Sequence, residues 1–183
     1  MDPKLQAIVD DLNAAQARVH ALGALPAVAW SHRPAPGAWS AVQCIEHLNL
    51  TSETILPLLA GALDEARKAP KRAPVPYWRD AVGWAIWKAM APDSAVKVKT
   101  VEALEPRESD AFDQVVERFD RLQAGIVEQV IAGDGLPLDR VRLASPFDAR
   151  VKYNLYAVFT LTARHQLRHV AQAERAVEAF TEL

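Results

Sequence analysis

Three histidines are the residues of this chain whose types and spacing could do chemistry: His47, and the pair His165 and His169 in Ala-Arg-His-Gln-Leu-Arg-His-Val. The pair stands at i, i+4, so on a helix both imidazoles project from one face, a turn apart. Two such nitrogens can reach one divalent ion. A third imidazole from a neighbouring helix would complete a three-nitrogen site with open positions, as in catalytic rather than closed structural metal centres. Neutral imidazoles leave the ion its full double charge, so a thiol or water entering an open position has its pKa lowered and becomes a nucleophile at neutral pH. Zinc and nickel both suit such a set of donors.

The neighbouring residues narrow the chemistry. In the zinc-protease pattern His-Glu-x-x-His the Glu is the base, and here that position is Gln166, which cannot take a proton. A di-iron carboxylate bundle needs Glu three residues before its histidines, whereas Ala17, Ala29, Cys44, Thr162 and Gln166 stand there. On the ligand faces, Cys44 and Thr51 flank His47 while Thr162 and Gln172 flank the pair. None is an obvious general base, which favours a thiolate generated by coordination over hydrolysis. Glu46 and Glu53 are close in sequence but on other faces of an ideal helix, and a carboxylate could still arrive from another segment. Cys44 reads as a small buried apolar residue. His20 and His32 lack a partner at ligand spacing and read as surface or loop residues. Arg164 and Arg168, also at i, i+4, could clamp a carboxylate-bearing substrate or simply form a solvated, ion-paired face.

Helices must position these side chains. Apolar residues Leu5, Ile8, Val9, Leu12, Ala15, Val19 and Leu22 mark a first helix over residues 4–24, stopped by Gly23 and Pro26. A loop follows through Pro34 and Gly37. Ser40 as N-cap, Gln43 three residues on and Trp39 against Cys44 predict a capping box with a hydrophobic staple at the start of the second helix. That helix carries His47 and should kink at Pro57. Three prolines over residues 70–76 break the chain, and residues 77–90 predict a short Trp-rich helix ended by Pro92, serving packing more than a binding wall or dimer surface. Residues 96–101 alternate apolar and polar and read as a crossover connection, because a lone strand has no partner. Ser109 predicts the cap of a third long helix to about Ile131, closed by Gly133 and Gly135; the fourth runs from about Asn154 to Phe180 and holds the histidine pair. The fold class is therefore all-α: one domain over residues 1–183, a four-helix bundle with long crossover connections and a short extra helix.

Composition fits that reading and excludes others. The chain has 183 residues, 50% hydrophobic and 24% charged, a globular balance. A net charge of −2 argues against a nucleic-acid partner. The small basic cluster of Arg67, Lys68, Lys71 and Arg72 reads as a solvated helix end. One cysteine fits a reducing compartment, and no basic leader or long apolar run is present, so a cytoplasmic protein without a membrane span is expected.

Trp39-Ser40 with Glu46-His47-Leu48, the Lys99-Thr100 segment with Pro106, and His165-x-x-Arg168-His169-x-x-Gln172 resemble the DinB-like superfamily. The resemblance covers nearly the whole chain through the order and spacing of its parts. It implies a four-helix bundle that holds a divalent metal, often nickel or zinc, through one histidine on the second helix and two on the fourth, here His47, His165 and His169. It also implies a small-molecule substrate, a low-molecular-weight thiol as co-substrate in a transfer or isomerisation, and frequent homodimers. Three readings stay open: a metal-dependent thiol transferase, a non-catalytic metal- or small-molecule-binding module, and a plain bundle with incidental histidines.

Overall fold

The computed structural model describes residues 1–69, 77–91, 100–106 and 112–181. Helices α1 (Pro3–Leu22), α3 (Ala41–Lys68), α5 (Phe112–Ala132) and α6 (Leu155–Thr181) form the bundle, with short helices α2 (Ala27–Ser31) and α4 (Ala81–Ala89) against it. A 3-10 turn at Glu102–Leu104 precedes α5, and an antiparallel pair, β1 (Arg142–Ala144) and β2 (Lys152–Asn154), leads into α6. The protein is all-α apart from that small pair. The predicted breaks at Pro70, Pro74, Pro76 and Pro92, the connection at Val96 to Lys99, the basic residues Lys71 and Arg72, and the Ser109 cap lie outside the described residues.

Local chemistry places the helix starts. Asp2 caps α1 through the Lys4 amide, with Pro3 in the first turn where its missing N–H costs nothing. All seven apolar residues expected inward on α1 are buried. At α3 the capping box forms: Gln43 N–H donates to Ser40 Oγ at 3.4 Å and Ser40 N–H donates to Gln43 Oε1 at 3.1 Å. Trp39 and Cys44 share one apolar cluster, as a staple requires. The helix continues through Pro57 to Lys68. Asn154 caps α6 by accepting from the Ala157 amide at 2.8 Å.

In cross-section α1 and α3 lie across the diagonal, each packed on α5 and α6. The apolar core is in two clusters, one toward each end of the bundle. α1 and α6 pass from the Leu5–Phe159 cluster to the Trp30–Phe119 cluster, and α3 and α5 pass the other way. Neighbours α3 and α5 are thus parallel, which no short turn can connect, so the long chain between them is a crossover. Between the clusters runs a buried polar layer that includes His47, Asn49, Thr51, Gln123, Thr162, His165 and Gln166. Gln123 Nε2 donates to the Leu12 carbonyl at 2.6 Å and Gln166 Nε2 to Gln123 Oε1 at 2.8 Å, tying α1, α5 and α6 together.

Two elements went unread in the sequence. The loop through Pro34 and Gly37 is present, but the helix α2 stands before it, with Trp30 fully buried and its ring 3.6 Å from Phe112. The connection after α5 contains the β1–β2 pair, three residues per strand, too short for period-2 patterning to stand out.

Candidate metal centre

His47 comes from the second turn of α3, and His165 and His169 from successive turns of α6, which packs on α3. The three offer one ring nitrogen each within 4.8 Å of one another, and no carboxylate or thiol joins the group among the described residues. His47 Nε2 and His165 Nε2 are 3.3 Å apart. Two nitrogens bound to one tetrahedral zinc at about 2.0–2.1 Å stand roughly 3.3 Å apart, so this pair has the span an ion needs. The remaining ring centroids lie 4.6 Å (His47–His169) and 4.5 Å (His165–His169) apart.

The opposite ring nitrogens are anchored. His47 Nδ1–H donates to the Leu104 carbonyl at 2.8 Å, and His169 Nδ1–H donates to Gln172 Oε1 at 3.0 Å. Carbonyl oxygens only accept, so both rings carry the proton on Nδ1 and turn the Nε2 lone pair inward, the outer contact that metal-binding histidines use. Trp39 closes one side, its ring centroid 4.9 Å from His47 and 5.9 Å from His169.

Burial sets the charge state. His47 and His165 are buried and His169 is partly so. Burial lowers the pKa of His47, with the Leu104 carbonyl opposing. It lowers His165 far more, with His169, His47 and Arg168 adding repulsion. It pulls His169 down to about 3, with His47 contributing and Gln172 opposing. At neutral pH the three are uncharged imidazoles with free lone pairs, the state a cation requires.

Cys44, one turn before His47, stays outside the group; burial raises its thiol to about 12, so it is an inert core residue. Glu46 and Glu53 turn toward α5, where Arg118 Nη1 donates to Glu46 and its Nε to Glu53, each at 2.8 Å. The Thr51 and Thr162 hydroxyls donate to the His47 and Val158 carbonyls, so their protons are committed. A cavity of about 50 Å³ opens beside His165, between these two threonines and an apolar wall that includes Met90, Phe147 and Tyr153. Phe147, on the turn between β1 and β2, brings its ring 6.3 Å from His165.

The expected ligands are brought together. His20 is exposed and bonds Asp120 at 2.8 Å, and His32 packs near Phe180, so neither joins them. Sequence reasoning missed the Leu104 carbonyl and Phe147. A backbone acceptor carries no residue signal, and a lone Phe in a turn has no periodicity. Trp39 stood in the motif but only as a helix staple. Arg164 and Arg168 do not act as a joint clamp, since Arg164 stacks on Trp87 and Arg168 Nη1 donates to the Ala91 carbonyl.

Among the described residues no helix is long and apolar enough to cross a membrane. No curated protein and no solved structure matches the chain. The sequence profile of the DinB superfamily matches residues 7–173, with the three-histidine cluster inside the matched span, and the chain belongs to that superfamily.

Proposed function

We propose that the protein is a metal-dependent enzyme in which His47, His165 and His169 hold a divalent ion, zinc or nickel, for a transfer or isomerisation that uses a low-molecular-weight thiol. One observation carries the reading: three neutral imidazoles converge where no protein carboxylate or thiol joins them among the described residues. An ion there would lower the pKa of an incoming thiol and so supply a nucleophile at neutral pH. The chain's own groups orient the site. Leu104 and Gln172 hold two rings in place, Trp39 packs over one side of the cluster, and the 50 Å³ space beside His165 gives a small substituent apolar contact. With Glu46 and Glu53 engaged by Arg118, no base stands ready on α3, which favours a nucleophile generated by coordination to the ion.

The same lack of a base favours a second reading, a metal-holding or small-molecule-binding module without turnover. Elemental analysis of wild type beside His47→Ala and His169→Ala, with melting curves, tests the site. About one equivalent of a divalent metal in wild type, lost in both folded variants, supports it. A screen of thiol-dependent turnover of electrophiles by the loaded protein then separates enzyme from module. Absence of metal uptake after incubation with zinc and nickel would sink the enzyme reading and the metal-holding form of the module.

A further inference from the structure

The larger cavity, about 280 Å³, is not the one beside the histidines. It lies among α1, the segment entering α4, α4 itself and α6. On α6 its walls are Tyr156, Thr160, Arg164 and Leu167, which share one helix face. At about 100° per residue that face is opposite the one carrying His165 and His169.

Cations converge on this space. Lys4 Nζ donates to the Tyr77 carbonyl at 2.8 Å and sits 4.0 Å over the Trp78 ring. Arg79 Nε donates to Thr160 Oγ1 at 2.8 Å, with its guanidinium 4.1 Å from the Trp87 centroid. The Arg164 guanidinium is 3.8 Å from the same Trp87 centroid. Two like charges therefore share one indole, an arrangement whose Coulomb cost an entering anion would relieve. Burial pulls the Arg79 pKa down, and the nearby Arg164 adds to that. Among the described residues of the lining, Lys4, Arg79 and Arg164 stand beside one carboxylate, Asp11. Guanidinium forks engage carboxylates through paired N–H bonds, and indole and phenol faces stack flat bodies. The volume is at the low end for ligand pockets, which suits a molecule of one ring rather than a nucleotide.

We propose that this cavity is a second binding site, independent of the metal cluster, for a small planar carboxylate held by Arg79 and Arg164 and stacked among Trp78, Trp87 and Tyr156. Asp80 and Asn154 fix the site's floor. Asp80 caps α4 at the Gly83 amide and accepts from the Asn154 amide, and Asn154 Nδ2 donates to the Trp78 carbonyl at 2.8 Å.

Titration calorimetry on the full chain tests this with benzoate, its neutral isostere benzamide and the non-planar cyclohexanecarboxylate. Saturable binding of benzoate, one per chain and at least tenfold tighter than either analogue, is expected. Arg79→Gln should weaken benzoate about tenfold or more, the loss of a charge-assisted hydrogen bond, while metal content stays at the wild-type value. Lys4→Gln, which removes another cation of the lining, should weaken it less, and it carries the test if Arg79→Gln fails to fold. Equal affinity for benzoate and benzamide overturns the proposal. So does wild-type affinity in a folded Arg79→Gln, or no saturable benzoate binding at all.

Discussion

Helix α6 presents two faces of opposite electrostatic design. Toward α3 it offers His165 and His169, kept uncharged by burial in a layer of neutral polar residues. Toward α1 and α4 it offers Arg164, which meets a second guanidinium over Trp87. A site that would hold a cation has its own positive charge removed, and a site that would hold an anion has positive charge gathered. The same physical means, enclosure by aromatic rings and apolar residues, does both. An imidazole responds to desolvation by shedding its proton, whereas a guanidinium cannot and must be stabilised by ring faces and neutral oxygens.

The largest expected effect comes from forcing protons onto the uncharged face. His47, His165 and His169 titrate lower in the fold than the ordinary value of 6.5, His169 at about 3. The unfolded chain therefore binds more protons than the fold from about pH 6.5 downwards. Stability contributed by these groups is complete above that pH and drains as the pH falls toward the folded values. Over each pH unit in which the unfolded chain carries one proton more than the fold, about 1.4 kcal/mol is lost. Metal-free protein should melt at a steady temperature from pH 8 to 6.5 and then lose stability steeply, with His165→Leu flattening the slope by about one proton. An unchanged slope in that variant would mean other groups set the acid sensitivity, and the contrast between the faces would be lost. Zinc at a hundred times its dissociation constant should raise stability at pH 7 by about 2.7 kcal/mol.

Next comes a change centred on the charged face, which leaves the three histidines themselves in place. A Cβ on Gly83 would stand 2.3 Å from the Ala157 Cβ, so Gly83→Ala must push α4 away from α6 and carry Trp87 with it. A loss of about 1–3 kcal/mol is expected, the usual cost of overpacking. Benzoate binding should weaken while metal content holds, because no histidine of the cluster lies on α4. Loss of metal together with benzoate would show the two faces to be one mechanical unit.

Gln172→Leu makes the complementary cut. Removing Oε1 frees the His169 ring to rotate, and metal affinity should fall about tenfold, the low end for outer contacts to metal-binding histidines. Benzoate binding should not respond. Competition with a metal indicator, read beside benzoate calorimetry, separates the two.

Legibility from sequence follows the same divide. The histidine pair was readable because helix periodicity converts spacing into geometry, with i, i+4 placing both rings on one face; His47 joined them through the resemblance to the superfamily, because spacing alone does not tie α3 to α6. The seven inward residues of α1 were readable for the same reason. The Arg–Trp cavity was not. Its residues come from α1, the chain before α4, α4 and α6, far apart in sequence, and Arg164 meets Arg79 rather than the Arg168 that spacing offered. Trp87, read as packing, does pack, and two guanidiniums stack on it. The β1–β2 pair escaped notice because its Leu143–Tyr153 pairing forms between strands separated by a turn without an Asn-Gly or Asp-Gly signal.

The smallest effect expected is also the finest test of how far the faces are coupled. Ser40→Ala removes the oxygen that accepts from the Gln43 amide and opens the capping box of α3, at a cost of about 1 kcal/mol. In a chain of this length that shifts the melting temperature by roughly 2–4 °C. The loosened turn lies between Trp39, which covers His47 and His169, and His47 itself, so metal affinity should weaken slightly. No residue of α3 lines the Arg–Trp cavity, so benzoate affinity should remain at the wild-type value. If benzoate weakened by the same factor as metal, fraying at one end of α3 would have travelled through α6. The two faces would then be read as states of one cooperative helix rather than as separate sites on a rigid support.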